Sequence, residues 1–191
     1  MERDLDFDPR NLPPDVLQAV GLITTCCAQT EHVVEDGIAG CLKIDFEYGA
    51  AITTHMNNPL RDNVLRAVAE IKINDLDALD KLDELLDEIT KALKLRNTYV
   101  HNSLCVDKET SELFTVRTDA RGRVEMDVIP AIVKEIEAAA IRIYQAGTSL
   151  YRFLDHHDLL AIIPDDPRPR QHKSRAARKK RRESFLAAKT P

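Results

Sequence analysis

The chain has 191 residues and a formal net charge of −5, with few aromatics, no tryptophan and six glycines. That length suits one domain with a proper core plus some tail, and so few glycines argue against a sheet-rich fold with many tight turns. The abundance of Leu, Ala, Ile and charged residues favours helices instead. The start, MERDLDFDPRNLPP, has no apolar stretch behind a basic flank. No apolar run approaches the roughly 20 residues of a membrane span. No secretory signal and no membrane partner are expected, and the expected location is cytoplasmic.

The net charge hides a division. Residues 1–166 hold 17 Lys/Arg against 31 Asp/Glu, a balance of −14, whereas residues 167–191 hold 10 Lys/Arg against Glu183 alone, a balance of +9. Four cysteines (Cys26, Cys27, Cys41, Cys105) fit neither a metal spacing nor a redox CxxC pattern and read as small buried thiols.

In chain order, residues 1–13 read as an N-terminal arm and 14–160 as a helical domain. After Pro13-Pro14, Asp15 favours a helix N-terminus, and a long helix runs to about Leu42. Its seam is Val16, Val20, Ile23, Cys27, Thr30, Val34, Gly37, Cys41, alternating steps of four and three. Residues 45–56 suggest a short helix between turns. NNPLRDNVLRAVAEI then offers an Asn cap, Pro59 in the first turn and a stripe of Leu60, Val64, Ala67, Val68, Ile71. The next helix carries Leu76, Leu79, Leu82, Leu86, Ile89, Leu93 in steps of three and four, and the stripe runs into Arg96 and Val100.

Beyond it the period changes to two. ELFTVRT and RVEMDV flank turn residues with Gly122, which predicts a β-hairpin over about 112–128. Asp127 and Pro130 are expected to introduce a last long helix with a seam from Ile129 and Ile132 through Ile136, Ala140, Ile143, Gly147 and Leu150 to Leu154, ending near His156-His157. Residues 161–191 read as a proline-broken linker and a disordered basic tail. The expected fold is therefore all-α: an antiparallel helical bundle with a small β-hairpin insertion after the fourth helix.

The apolar seam that ends in RNTYVHN asks for an explanation. On an ideal helix Arg96 and His101 diverge by about 140°, so they are poorly placed to act together within one chain; His101 shares a face with Asn97 instead. A two-fold axis beside this helix end would bring two copies of each into one cleft. Two guanidiniums suit bidentate phosphate binding, and two imidazoles can remove one proton and deliver another. RNA supplies its own nucleophile, the ribose 2′-hydroxyl, so this chemistry needs no metal and no cofactor. DNA would be inert.

Arg96-Asn97-xxx-His101 at the end of a long helix resembles the R-polar-x(3)-H form of the Rx(4–6)H motif of HEPN domains. The order of helices, a small β excursion and a further long helix is also similar, over about residues 14–157. The resemblance implies a metal-independent endoribonuclease that works as a homodimer. It would belong to a toxin–antitoxin or antiviral defence setting, with an antitoxin or defence protein as partner. By the same resemblance Arg96 and His101 would be catalytic and Asn97 would support their placement. Other members of the superfamily are not nucleases, so a non-catalytic dimer that binds nucleotide, nucleic acid or a protein partner is the alternative. In the tail, Arg175, Arg178, Lys179, Lys180, Arg181 and Arg182 form a cationic block with affinity for polyanions such as RNA. His32, His55 and His156-His157 carry no site, and Glu31 reads as part of an exposed helix face, with neutralisation of Arg96 in the resting dimer as the alternative.

Overall fold

The computed structural model describes residues 3–119, 125–163 and 179–180. Five helices dominate the described residues: α1 (Pro14–Cys41), α2 (Phe46–Thr53), α3 (Asn58–Lys72), α4 (Leu76–Val100) and α5 (Val133–His156). Their starts follow local chemistry. The side chains of Asp45, Asn57 and Asp75 accept hydrogen bonds from the first-turn amides of α2, α3 and α4, each occupying a donor that a helix N-terminus otherwise leaves bare. Among the described residues, no helix is long and apolar enough to cross a membrane.

The three residues between α3 and α4 force the chain to reverse, and Arg66 of α3 bridges to Asp83 and Asp87 of α4 across the hairpin. By contrast α1 and α5 lie side by side and run the same way. Thr30 Oγ1 donates to the Ile143 carbonyl at 3.2 Å, and further along both helices Gly37 lies against Leu154. A Cβ on Gly147 would come within 2.5 Å of Thr30 Oγ1, so the absent side chain is what lets these helices approach. At the far end the chain returns over α1: a Cβ on Gly40 would sit 2.1 Å from the Leu159 carbonyl oxygen, and Asp45 bridges to Ile162. The packed domain thus reaches past residue 160.

The core has two helical halves. Ile38, Leu65, Leu82, Leu86, Leu150 and Leu154 fill one, and Ile23, Cys27, Ala92, Ile136, Ala140 and Ile143 fill the other. The seam expected on α1 is buried along its length apart from half-buried Val20.

The all-α expectation needs correction. The expected hairpin pairs as β3 (Leu113–Asp119) with β4 (Glu125–Pro130), but β2 (Ser103–Asp107) and β1 (Leu5–Asp6) extend it to a four-stranded antiparallel sheet in the order β1-β2-β3-β4. The N-terminal arm is therefore an edge strand. Cys105, Phe114 and Val116 form a small separate core with Leu5 against it. The last helix also starts later than expected. Pro130 pairs with Phe114, and the Ala131 amide donates to the Leu113 carbonyl, which keeps the chain extended to Ile132. Ile129 and Ile132 are consequently exposed and take no part in the helix seam.

A third correction concerns α3. Its buried residues are Leu65 and Ala69, whereas Leu60 and Ile71 face outward, Ile71 being 86% exposed. The helix is rotated from the expected stripe so that Arg61, four residues before Leu65, lies on its inner side. Of the basic tail, Arg175, Arg178, Arg181 and Arg182 lie outside the described residues.

Candidate active site

The motif helix ends where the sequence places the motif. Helix α4 runs to Val100, and His101 is its cap, with φ −102° and ψ −12° and its amide donating to the Asn97 carbonyl. Asn102 Nδ2 donates to the Thr98 carbonyl at 2.9 Å, occupying one of the last orphan acceptors. The chain then turns into β2, whose pairing with β3 holds the exit direction.

That exit changes the geometry of the pair. Arg96 and His101 do not diverge: Arg96 Nη1 lies 2.9 Å from His101 Nε2. His101 has left the ideal helical path, and the long arginine side chain closes the remaining gap. A guanidinium has donors only, so Nη1 donates and the Nε2 lone pair accepts, with the ring proton on Nδ1. Nη1 also reaches Asn97 Oδ1 at 3.5 Å. Arg96 is half-buried, while His101 and Asn97 are exposed. All three motif residues meet within a single chain.

No carboxylate among the described residues lies within 4.0 Å of the Arg96 guanidinium. Its Nε is buried without a hydrogen-bond partner, as is the Nε of Arg61. An unsatisfied buried donor costs about 1–3 kcal/mol, and more when charged. Both arginines line one cavity of about 320 Å³ between α3 and α4, floored by Val34, Leu86, Ile89 and Leu93.

Sequence reading missed the other side of this cavity. Glu31, expected on an open helix face, is half-buried: its Oε1 accepts from Asn58 Nδ2 at 2.9 Å, and its Oε2 lies 3.5 Å from Arg61. Glu35 pairs with Arg61 at 2.9 Å, with side chains only 11% and 15% exposed. The signal was present in the spacing. Arg61-Leu65-Ala69 on α3 and Ile89-Leu93-Arg96 on α4 each carry an arginine in an apolar register. Two inward arginines on neighbouring helices mark a polar chamber inside a core.

Charge along α4 is polarised in the same sense. Residues 75–88 hold seven carboxylates and one lysine, and residues 91–101 hold Lys91, Lys94 and Arg96 with no carboxylate. Cations at the C-terminal end suit the helix dipole.

The four cysteines are free and buried. Cys27 lies near enough to Arg96 to feel its charge, yet burial pushes the thiol up to about 11, which keeps it protonated and unreactive at neutral pH. The exposed His32 reaches the largely buried Glu35 at 3.2 Å, and His156 and His157 stack edge to face at the end of α5. Comparison with family models, with curated proteins and with solved structures found no match to this chain.

Proposed function

We propose that the protein is a HEPN-like endoribonuclease that cleaves RNA by 2′-hydroxyl attack, with Arg96 and His101 as its catalytic residues and a second copy of the chain completing the site. One observation carries this reading: a half-buried guanidinium, with no carboxylate among the described residues within 4.0 Å, touches an exposed imidazole at 2.9 Å. A cation without a counter-charge suits an anionic ligand, and an imidazole beside it suits proton transfer to or from that ligand.

In the resting chain the Nε2 lone pair is engaged by Nη1. A phosphodiester oxygen is a stronger acceptor for the guanidinium, so substrate binding would draw Nη1 away and release Nε2. The freed imidazole takes the proton from the ribose 2′-hydroxyl. The 2′-oxygen then bonds to phosphorus, the bond to the 5′-oxygen breaks, and a protonated imidazole of the second chain gives that oxygen its proton. The products are a 2′,3′-cyclic phosphate and a 5′-hydroxyl. The arginines stabilise the charge on the crowded phosphorus. Asn97 holds Arg96 from the side. Ile141, Tyr144 and Tyr151 stand exposed on the outer face of α5 and offer an apolar surface for pairing.

The test is cleavage of labelled single-stranded RNA in EDTA by the wild type and by His101→Ala and Arg96→Ala. Loss of at least a hundredfold in both variants supports the reading, and variants that cleave like the wild type overturn it.

A further inference from the structure

The chain leaves the packed domain beside the start of α4. Ile162 bonds to Ile44 and Phe46 there, and Asp158 and Leu159 line one hollow with Asn74 and Asp75. The segment 167–191, with its balance of +9, is thus tethered next to the acidic half of that helix. The stretch from Ile163 to Lys173 can span up to about 35 Å. The acidic run from Asp75 to Glu88 is only about 20 Å long.

The outer side of that run is uncovered: Asp77, Asp80, Asp83, Glu84, Asp87 and Glu88 are all exposed. Arg66, Lys81 and Lys91 pair with Asp83, Asp87, Glu84 and Glu88. Asp77 and Asp80 have no cation within 4.0 Å among the described residues. Seven carboxylates against those three cations leave four negative charges on one helix face. The face ends at the α3–α4 turn in two bare aliphatic side chains, Ile71 and Leu76, 86% and 74% exposed. The tail carries the matching pattern in its sequence. Arg175, Arg178, Lys179, Lys180, Arg181 and Arg182 form a cationic block, and Phe185-Leu186 follow it.

We propose that the tail of this chain docks on the outer face of α4, with its cations 175–182 along Asp77–Asp87 and Phe185-Leu186 over Leu76 and Ile71. Charge complementarity selects the block, and the two aliphatic side chains fix its direction. Tethering holds the block at an effective concentration in the millimolar range, so a free cationic partner has to displace it. Docked there, it is withheld from RNA. This surface does not depend on the ribonuclease reading.

Limited trypsin digestion of the full chain tests it, with cuts inside 168–182 followed by mass spectrometry. Asp77→Asn with Asp80→Asn and Glu84→Gln neutralises the face. Glu109→Gln with Glu112→Gln and Glu137→Gln removes as many exposed carboxylates away from it. At low salt the first variant is expected to lose its tail about fivefold faster than the wild type, and the second at the wild-type rate. The difference is expected to vanish at 1 M salt, where charges are screened beyond about 3 Å. Equal rates for all three chains at low salt overturn the docking, and so does equal acceleration in both variants. Carbodiimide coupling supplies the second readout, joining Lys173, Lys179 or Lys180 to α4 carboxylates within one chain. Links spread evenly over the body, or made mainly between two chains, overturn the assignment as well.

Discussion

Arg96 Nη1 and His101 Nε2 lie 2.9 Å apart, although the two residues are five positions apart in sequence and an unbroken helix would turn them well away from each other. The contact exists because α4 stops at Val100 and His101 caps it. The function proposed for this region thus hangs on a helix end. The same two residues one turn earlier, inside the helix, would face different neighbours. What Arg96 lacks matters as much: among the described residues it has an imidazole and an amide beside it and no carboxylate, whereas Arg61, across the same cavity, is tied to Glu35.

That second arginine gives a stability prediction. Glu35 and Arg61 form a pair with both side chains largely buried, and removing one partner of such a pair costs about 3–5 kcal/mol because the other charge stays behind. Glu35→Leu alone is expected to destabilise the fold by that order, measured by urea unfolding. Glu35→Leu with Arg61→Met is expected to recover part of the loss, since the double variant removes both buried charges of the pair and leaves only Glu31, still bonded to Asn58, without its arginine. A double variant as unstable as the single one would show that the pair does not act as a unit.

The glycines make a paired prediction. A Cβ at Gly40 would meet the Leu159 carbonyl at 2.1 Å, and backbone cannot swing aside as a side chain can, whereas a Cβ at Gly21 meets nothing. Gly40→Ala is expected to cost about 1–3 kcal/mol through forced displacement of the returning chain. Gly21→Ala, on the exposed side of α1, is expected to stabilise by up to about 1 kcal/mol because alanine is the better helix former. Thermal melts of the two variants should move in opposite directions.

How far the sequence discloses all this depends on which force decided each element. The α1 seam from Val16 to Cys41 was legible because one long helix buried on one side leaves a clean period. The α3 stripe was not. Leu60, Val64, Ala67, Val68 and Ile71 do share a face, but Arg61 and its partners Glu31 and Glu35 rotate the helix so that Leu65 and Ala69 point inward. Apolar periodicity cannot see an ion pair between helices. Similarly Ile129 and Ile132 fit a helical seam, and only the pairing of Pro130 with Phe114, a long-range contact, shows that the strand continues there. The two short strands Leu5–Asp6 and Ser103–Asp107 are too brief to signal by alternation. At the site, the motif gave Arg96, Asn97 and His101, while their contact within one chain required the helix end to be placed in space.

The sheet makes the fold sensitive to acid. Asp107 at the end of β2 accepts from the amides of Glu109 and Thr110 at 2.9 and 3.0 Å, and these bonds hold its carboxyl below the usual range. A carboxyl with a depressed folded-state pKa adds stability that is present above its unfolded value, near 3.9, and is lost as pH falls through the folded value. The melting temperature is therefore expected to drop on acidification below about pH 5. Asp107→Asn keeps an acceptor for the amides but cannot titrate, so it should melt lower at pH 7 and show a shallower decline towards pH 2. An acid profile as steep as the wild type's would place the sensitivity elsewhere.

The chemistry at the helix tip is tested most directly by the ends it makes. Mass spectrometry of a short RNA incubated with the protein in EDTA should find a 2′,3′-cyclic phosphate on one fragment and a 5′-hydroxyl on the other. A 2′-O-methyl group at the cleaved nucleotide should block the cut, because it removes the attacking hydroxyl. Fragments ending in 3′-hydroxyl and 5′-phosphate, or cutting that continues past the methylated ribose, would contradict attack by the ribose and with it the roles assigned to Arg96 and His101.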